Sequence, residues 1–229
     1  MVEPRQIVRE IVDYIGERGM VAGGAIRDIL LGLTPTDYDI FVYTHKAFDE
    51  LIKEKGIFDY PFEPAGGQHM YAGDAGCSFT VYNSKLHGQD VQLIYCTAYE
   101  EWDYGDGFPF GPFQEAKLIK VLSAREIVYR FPFMVNMAYA DHNRKIVVTE
   151  EARYAMKRKE MIFSGHHRNS NSLMPGDVVV EHLYKRLFYL AHKLGYTIPQ
   201  ATLDQICEKY DFYDELSNRV WTKEVPANA

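Results

Sequence analysis

Gly23-Gly24-Ala25-Ile26-Arg27-Asp28, followed after eight residues by Asp37-Tyr38-Asp39-Ile40-Phe41-Val42, is the stretch on which the reading of this chain turns. Two glycines let backbone N–H groups come close to a phosphate, and a helix starting there adds a favourable dipole. The apolar run after Asp37 reads as a strand. On a strand, residues two apart point to the same side, so Asp37 and Asp39 share a face. Two carboxylates on one face can hold divalent cations, and Mg²⁺ takes oxygen ligands while keeping substrate phosphates in its shell. A phosphate-binding turn beside such a pair suits phosphoryl or nucleotidyl transfer. The plainer alternative is a helix–strand connection with two solvated aspartates. It leaves unexplained an arginine, Arg27, one turn into the same helix.

The rest of the chain sets bounds. It has 229 residues, 47% hydrophobic and 25% charged, enough for one large domain or two small ones with a core that needs no disulfides. Cys77, Cys96 and Cys207 are scattered, and no C-x-x-C occurs, so neither a zinc knot nor a disulfide framework is indicated. That pattern suits a reducing cytoplasm. No apolar run reaches the roughly 18 residues that span a bilayer, so no membrane partner is expected. The N-terminal stretch, with Ile7, Ile11, Val12 and Ile15 at helical spacing, reads as an amphipathic helix rather than a signal peptide.

The net charge of −7 argues against a generic nucleic-acid binder. It is distributed unevenly, because residues 141–193 hold ten Lys/Arg against six Asp/Glu. Such a segment can be the footprint of an RNA backbone, or simply a solvated helix face.

The pattern of the remaining segments is legible in outline. Met20–Ala22 reads as a buried strand, Ala25–Leu31 as a helix closed by Gly32, Asp39–Tyr43 as a strand and His45–Lys55 as a helix. Cys77–Tyr82 alternates as a strand, Ser84–Gly88 turns the chain, and Asp90–Tyr95 returns as its hairpin partner. Residues 101–113, EWDYGDGFPFGPF, have no period and read as an ordered loop packed by its own aromatics, or as a lid. Lys145–Thr149 reads as a strand and Glu150–Lys159 as a basic helix. Residues 163–175 are polar and rich in breakers, and the helices Asp177–Leu194 and Pro199–Tyr210 follow.

The ordered set of G-G-x-x-R-D, a Leu/Gly/Pro-containing spacer and D-x-D resembles the head of the polymerase-β-like nucleotidyltransferases. It is most similar to the bacterial/eukaryotic-type tRNA CCA-adding enzymes and poly(A) polymerases. Arg130–Asp141, RFPFMVNMAYAD, resembles the family's next block, R-R-D-F-T-I-N-A-M-A. It keeps Arg130 and Asn136 but has Phe131 and Pro132 in place of the second Arg and the Asp. LAHKLGYTIPQATLDQI, at residues 190–206, resembles a later block.

The resemblance implies an α+β fold: a catalytic head, residues 1–163, with a mixed sheet flanked by helices, then a small all-helical neck, residues 164–229. It implies transfer of an NMP from an NTP with two Mg²⁺ ions held by Asp37 and Asp39. A third carboxylate is expected on a neighbouring strand. Asp90 is the candidate, with Asp74 in AGDAG as the rival, because a metal ligand must be held rigidly. Gly23, Gly24 and Arg27 are implied as triphosphate contacts, with Arg130 and Asn136 as further nucleotide-site residues.

The family reads the incoming base with E-D-x-x-R on the neck helix. Counting back from Leu194-Gly195, that block falls on Val179, Val180, Glu181, His182 and Leu183, so the Asp and Arg are absent; a shift of two residues gives Glu181, His182, Leu183, Tyr184 and Lys185, where lysine lacks the planar fork of arginine. The similarity ends after the first neck helices, so a standard CCA-adding role is not expected. The expected acceptor is an RNA 3′ end, such as that of a tRNA. The alternatives are a protein or small-molecule hydroxyl, or an inert descendant that binds RNA or protein.

Overall fold

The computed structural model describes residues 2–65, 77–99, 118–120, 122–164 and 176–210. The rival carboxylate Asp74, the aromatic loop 101–113 and Arg168 of the basic segment 141–193 lie outside the described residues.

Eight strands form one mixed sheet: β1 (Gly19–Ala22), β2 (Asp37–Val42), β3 (Glu63–Pro64), β4 (Cys77–Leu86), β5 (Gln89–Tyr99), β6 (Leu118–Lys120), β7 (Ala138–Ala140) and β8 (Ile146–Val148). Their order is β3-β4-β5-β2-β1-β7-β8, with β6 paired to the far end of β5. Only β2 and β5 run parallel; every other pair is antiparallel. Helices α1 (Pro4–Ile15), α2 (Gly24–Leu30), α3 (His45–Lys53), α4 (Ala124–Val128) and α5 (Glu150–Arg158) accompany the sheet, and α6 (Gly176–Leu194) and α7 (Gln200–Tyr210) follow it. The chain is thus an α+β protein with a mixed, helix-flanked sheet followed by helices, as the sequence implied.

Strand alternation sorts the cores. Tyr38, Ile40 and Val42 of β2, with Val91, Leu93 and Tyr95 of β5, face the apolar stripes of α1, α2 and α3. Phe41, Ile94, Met20 and Ala22 face the other way, onto Ile127 and Val128 of α4. Asp37 and Asp39 fall by the same alternation on this second face. Local caps fix the helix starts: Thr44 accepts from Ala47 N–H at 3.1 Å, Thr149 accepts from Ala152 N–H at 3.2 Å, and Ser123 and Glu126 form a reciprocal capping box.

A third core lies beyond the sheet. Phe133, Val135, Ala155, Met161 and Phe163 pack with Leu183, Leu187, Leu190 and Ile206, so residues on both sides of position 163 share one apolar cluster. Backbone bonds tie the same parts together: Met161 N–H donates to the Thr197 carbonyl at 2.8 Å, and Thr197 N–H donates to the Lys159 carbonyl at 3.0 Å.

The hairpin between β4 and β5 differs from the sequence expectation. Ser84, Lys85 and Leu86 continue β4, and the turn is only His87-Gly88, both with positive φ (53° and 76°). A two-residue hairpin loop needs that geometry, because it matches the twist of the strands. Polar residues at 84 and 85 suggested an earlier turn, yet Ser84 is buried and its hydroxyl donates to the Tyr60 carbonyl, while Leu86 enters the core. The Asp59 carboxylate accepts from the N–H groups of His87 and Gly88 at 3.2 and 2.9 Å, holding the turn.

Gly19 meets a steric limit at the start of β1. A Cβ there would run into the backbone carbonyl oxygen of Phe41 on β2, which cannot swing away as a side-chain end can. Gly19→Ala is therefore expected to cost about 2 kcal/mol or more through strand displacement. Gly88→Ala, with open space around it but positive φ, should cost about 1 kcal/mol. Urea unfolding of the two variants tests this; a Gly19→Ala protein as stable as wild type would contradict the β1–β2 packing.

Candidate functional site

The site grows from the end of β1 and the start of β2. Ala22, the last residue of β1, is opposite Asp39 in the antiparallel register, so the chain leaves β1 beside that carboxylate. Gly23 follows with φ 82°, a conformation that favours glycine, and its N–H donates to the Ala138 carbonyl of β7 at 3.0 Å. A Cβ on Gly23 would lie 3.8 Å from Asp39 Oδ2 and 3.5 Å from the Phe131 ring. The turn is thus laid directly against the carboxylate. Gly24 opens α2 with no capping side chain at the helix start, and the nearest atom to a Cβ there would be Arg27 Nη2, at 3.7 Å. No steric conflict requires a glycine at that position, so the bare Cα leaves room in front of the turn.

Asp37 and Asp39 share the face predicted for them. Burial first, and the neighbouring Asp37 carboxylate second, push the Asp39 pKa up to about 7, while the charge of Arg186 on α6 pulls it down. Two hard oxygen donors that repel each other in a partly dry setting suit a divalent cation. Among the described residues no group of three or more His, Cys, Asp or Glu is gathered as a metal site. A pair of carboxylates is a donor set that suits an ion keeping phosphates and water as its other ligands.

Asp90 stands on the same face, opposite Asp37 in the parallel β2–β5 register. Its Oδ1 lies 3.2 Å from Lys85 Nζ, its cross-strand partner on β4. The residue opposite Asp39 on β5 is Gln92, and opposite Gln92 on β4 is Asn83. Alternation along QDVQLIY already places Gln92 with Asp90. The parallel register then puts the amide, rather than the acid, beside Asp39.

Arg27 is turned inward. It is 4% exposed; Nε and Nη2 reach Asp28 Oδ1 at 2.8 and 2.6 Å, and Nη1 donates to Asn136 Oδ1 at 2.7 Å. Asp28, 1% exposed, uses its second oxygen to accept from Lys193 Nζ at 2.8 Å. The structure thus brings Arg27 and Asn136 together and joins them to the last turn of α6. Sequence reasoning missed Lys193, Arg186 and Phe131. The Phe131 ring packs on Phe41 at 5.6 Å between centroids and covers Gly23. Arg130, half-buried, follows α4 and its backbone N–H donates to the Ile127 carbonyl at 3.1 Å. Leu183, at the position of the family's base-reading Arg, is buried among Leu187 and Leu190.

No family profile and no curated protein sequence matches the chain. Solved structures do share its fold. One described as a tRNA-processing enzyme, apo form I, superposes with TM-score 0.55 at 15% identity, covering 92% of this chain and 48% of its own. The Bacillus stearothermophilus CCA-adding enzyme in complex with CTP gives 0.53 at 16% identity, covering 90% and 44%. The Thermotoga maritima CCA-adding enzyme complexed with tRNA gives 0.53 at 13% identity, covering 91% and 42%. The chain spans less than half the length of these proteins, and the likeness is one of fold.

The carboxylate pair has a consequence for stability. Asp39 holds its proton more tightly folded, near pH 7, than at its ordinary value of 3.8. A raised carboxyl pKa costs stability once the group ionises, so in chelator-treated protein this cost is absent below about pH 4 and complete above about pH 7. Asp39→Asn is expected to melt higher than wild type at pH 8 without metal and to show a smaller pH 5 to pH 8 difference. Added Mg²⁺ should raise the melting temperature of wild type but not of the variant. Identical melting of the two proteins at pH 8, with and without Mg²⁺, would contradict this account of the site.

Proposed function

We propose that the chain is a nucleotidyltransferase that moves an NMP from an NTP to an acceptor hydroxyl and releases pyrophosphate. The observation that carries this reading is the pairing of Asp37 and Asp39 on one face with the Gly23-Gly24 turn laid against Asp39. The shared fold with CCA-adding enzymes supports it.

Asp37 and Asp39 would hold the two Mg²⁺ ions, which when bound supply Lewis acidity to the phosphates and to the attacking hydroxyl. Asp90, on the same face with one oxygen near Lys85, would be the third carboxylate. The open backbone at Gly24 gives the triphosphate a close approach. Arg27 and Asn136 would act by fixing the turn, since each nitrogen of the Arg27 guanidinium is engaged with Asp28 or with Asn136 Oδ1. In the reaction the acceptor hydroxyl loses its proton, and its oxygen bonds to the α-phosphorus. The bond from that phosphorus to the bridging oxygen breaks, and pyrophosphate leaves. Positioning and charge stabilisation carry most of such a reaction.

Base choice by the family's route is not available at Leu183, which is core. The acceptor we assign is an RNA 3′ end. Support comes from the solvent face of α5, where Arg153 and Lys157 are exposed one turn apart, and Tyr154 is exposed with Arg158 over its ring at 5.5 Å. Arg158 also pairs with Glu160 at 2.6 Å, so Arg153 and Lys157 are the freer phosphate contacts.

Two measurements test these assignments. With labelled NTPs, Mg²⁺ and total cellular RNA, wild type should release pyrophosphate and label RNA, while Asp37→Ala and Asp39→Ala should each lose at least about 100-fold in rate and remain folded. Turnover near wild type in either variant would remove the carboxylate pair from the mechanism. RNA bound but never labelled by wild type would favour the inert binder, and label on protein would favour that acceptor. Separately, RNA affinity should fall with salt by a log–log slope of about −0.7 per phosphate contact, and Arg153→Ala with Lys157→Ala should flatten it by roughly 1.4. An unchanged slope would take RNA off the α5 face.

A further inference from the structure

Asp39 has a neighbour on each side along its row of the sheet. Ala22 of β1 is opposite it on one side and Gln92 of β5 on the other. The row continues from Gln92 to Asn83 of β4, and from Asn83 to Glu63 of β3. Two residues further along β2, the same face carries Phe41, Ile94 and Val81, which pack with Leu122 and Ile127. The row at Asp39 is thus the first polar one beyond that core. Between Asp39 and the edge strand it holds two neutral amides.

Gln92 and Asn83 are half-buried. Among the described residues neither side chain has a hydrogen-bond partner, and Asn83 Oδ1 is cut off from solvent with nothing donating to it. A buried carbonyl left unsatisfied carries a desolvation penalty, and such a group calls for an explanation beyond packing. Cross-strand side chains on one face are within reach of each other. The Gln92 amide can therefore turn its Nε2 donors onto Asn83 Oδ1, which leaves its own Oε1 to a ligand beside Asp39.

The Gly23-Gly24 turn follows Ala22, so the place it offers a triphosphate is on the β1 side of Asp39. In-line displacement sets the attacking and leaving oxygens on opposite sides of the phosphorus. With pyrophosphate departing towards the turn, the acceptor arrives over β5 and β4. Neighbouring strands are about 4.8 Å apart, so an amide one strand away from Asp39 meets the group next to the attacking oxygen rather than that oxygen itself. On an RNA 3′ end that group is the 2′-hydroxyl, which both donates and accepts, as an amide does. A serine or threonine side chain has no second hydroxyl to offer there. We propose that Gln92 binds the 2′-hydroxyl of the acceptor's terminal ribose, and that Asn83 is the positioning residue that holds the Gln92 amide for it. This rests on the nucleotidyltransferase reading and deepens it, because it gives the acceptor a chemical signature: a vicinal diol at the end that is extended.

The experiment is labelling, with Mg²⁺ and labelled NTPs, of two pools of random-sequence RNA that differ only in the 2′-hydroxyl of the last nucleotide, beside total cellular RNA. The full chain is used as wild type, Gln92→Met, Gln92→Glu and Asn83→Leu, with thermal unfolding of each as a check on folding. Wild type is expected to prefer the ribose end over the 2′-deoxyribose end by roughly 10- to 100-fold in kcat/KM. Gln92→Met should bring that ratio close to one by losing rate on the ribose end alone. Gln92→Glu keeps an accepting oxygen and should keep the preference, whatever its overall rate. Asn83→Leu should lower the ratio part of the way. A structural role alone would slow both pools alike and leave the ratio unchanged. Wild type that labels both pools equally, or Gln92→Met that keeps the preference, overturns the role of Gln92 and leaves the nucleotidyltransferase reading standing. A Gln92→Met defect that follows the 2′-hydroxyl of the NTP instead, read with deoxynucleoside triphosphates, moves Gln92 to the nucleotide and also overturns the proposal. Labelling of neither pool by wild type overturns it as well, and total cellular RNA then tells whether the wider reading falls with it. Should Gln92→Met fail to fold, Gln92→Val, apolar and suited to a strand, decides by the same ratio.

Discussion

A guanidinium kept away from water has to be met on all sides, and the way Arg27 is met organises the molecule. Its fork closes on Asp28 of its own helix and on Asn136 from the segment before β7, and the other oxygen of Asp28 takes Lys193 from α6. Two parts of the chain far away in sequence are thereby set against one short helix. Breaking such a buried pair by removing one partner costs about 3–5 kcal/mol, because the remaining charge is left uncompensated. Its value to the fold is one of placement more than net stability. Arg27 and Asp28 lie about one helical turn from Gly23-Gly24, and that turn rests against Asp39.

The same network explains why the sheet and the helices after it behave as parts of one arrangement. The third core joins Phe133, Met161 and Phe163 to Leu183 and Leu187, and the Asp28–Lys193 pair adds a polar tie nearer the site. Apolar packing is non-directional and would tolerate some sliding of α6. A hydrogen-bonded ion pair at one end is directional, and it sets the rotation of the helix. Rotation is what decides which residues of α6 enter the core: Leu183 is turned into it, while Lys193 is turned onto Asp28.

Much of this was legible in the sequence, and the missing parts have physical reasons. Period-two alternation gave the shared face of Asp37 and Asp39, and the glycine pair gave the turn, because both are local facts. The distant partners of Arg27 and Asp28 were not legible, since Asn136 is 109 positions from Arg27 and Lys193 is 165 from Asp28, and nothing local marks them. The β4–β5 turn was set too early because Ser84 and Lys85 are polar. Ser84 finds a carbonyl at Tyr60, and Lys85 finds Asp90, so both are satisfied within a strand. Asp90 illustrates the limit of strand arithmetic: register puts it on the right face beside Asp37, but the direction of its carboxylate depends on a cross-strand lysine.

The parallel β2–β5 pair carries the last step. In parallel register, residue for residue, the acidic positions 37 and 39 are flanked by Asp90 and Gln92. A third full charge beside Asp39 would add repulsion to a carboxyl whose pKa burial has already pushed up to about 7. An amide in that position brings a carbonyl oxygen and two donors without the charge. On this face Asp37 therefore has a charged neighbour on β5, Asp90, and the buried Asp39 a neutral one, Gln92. The charge of Arg186 on α6 also acts on Asp39. Any change in how α6 sits on α2 is therefore a change in the electrostatics of the site.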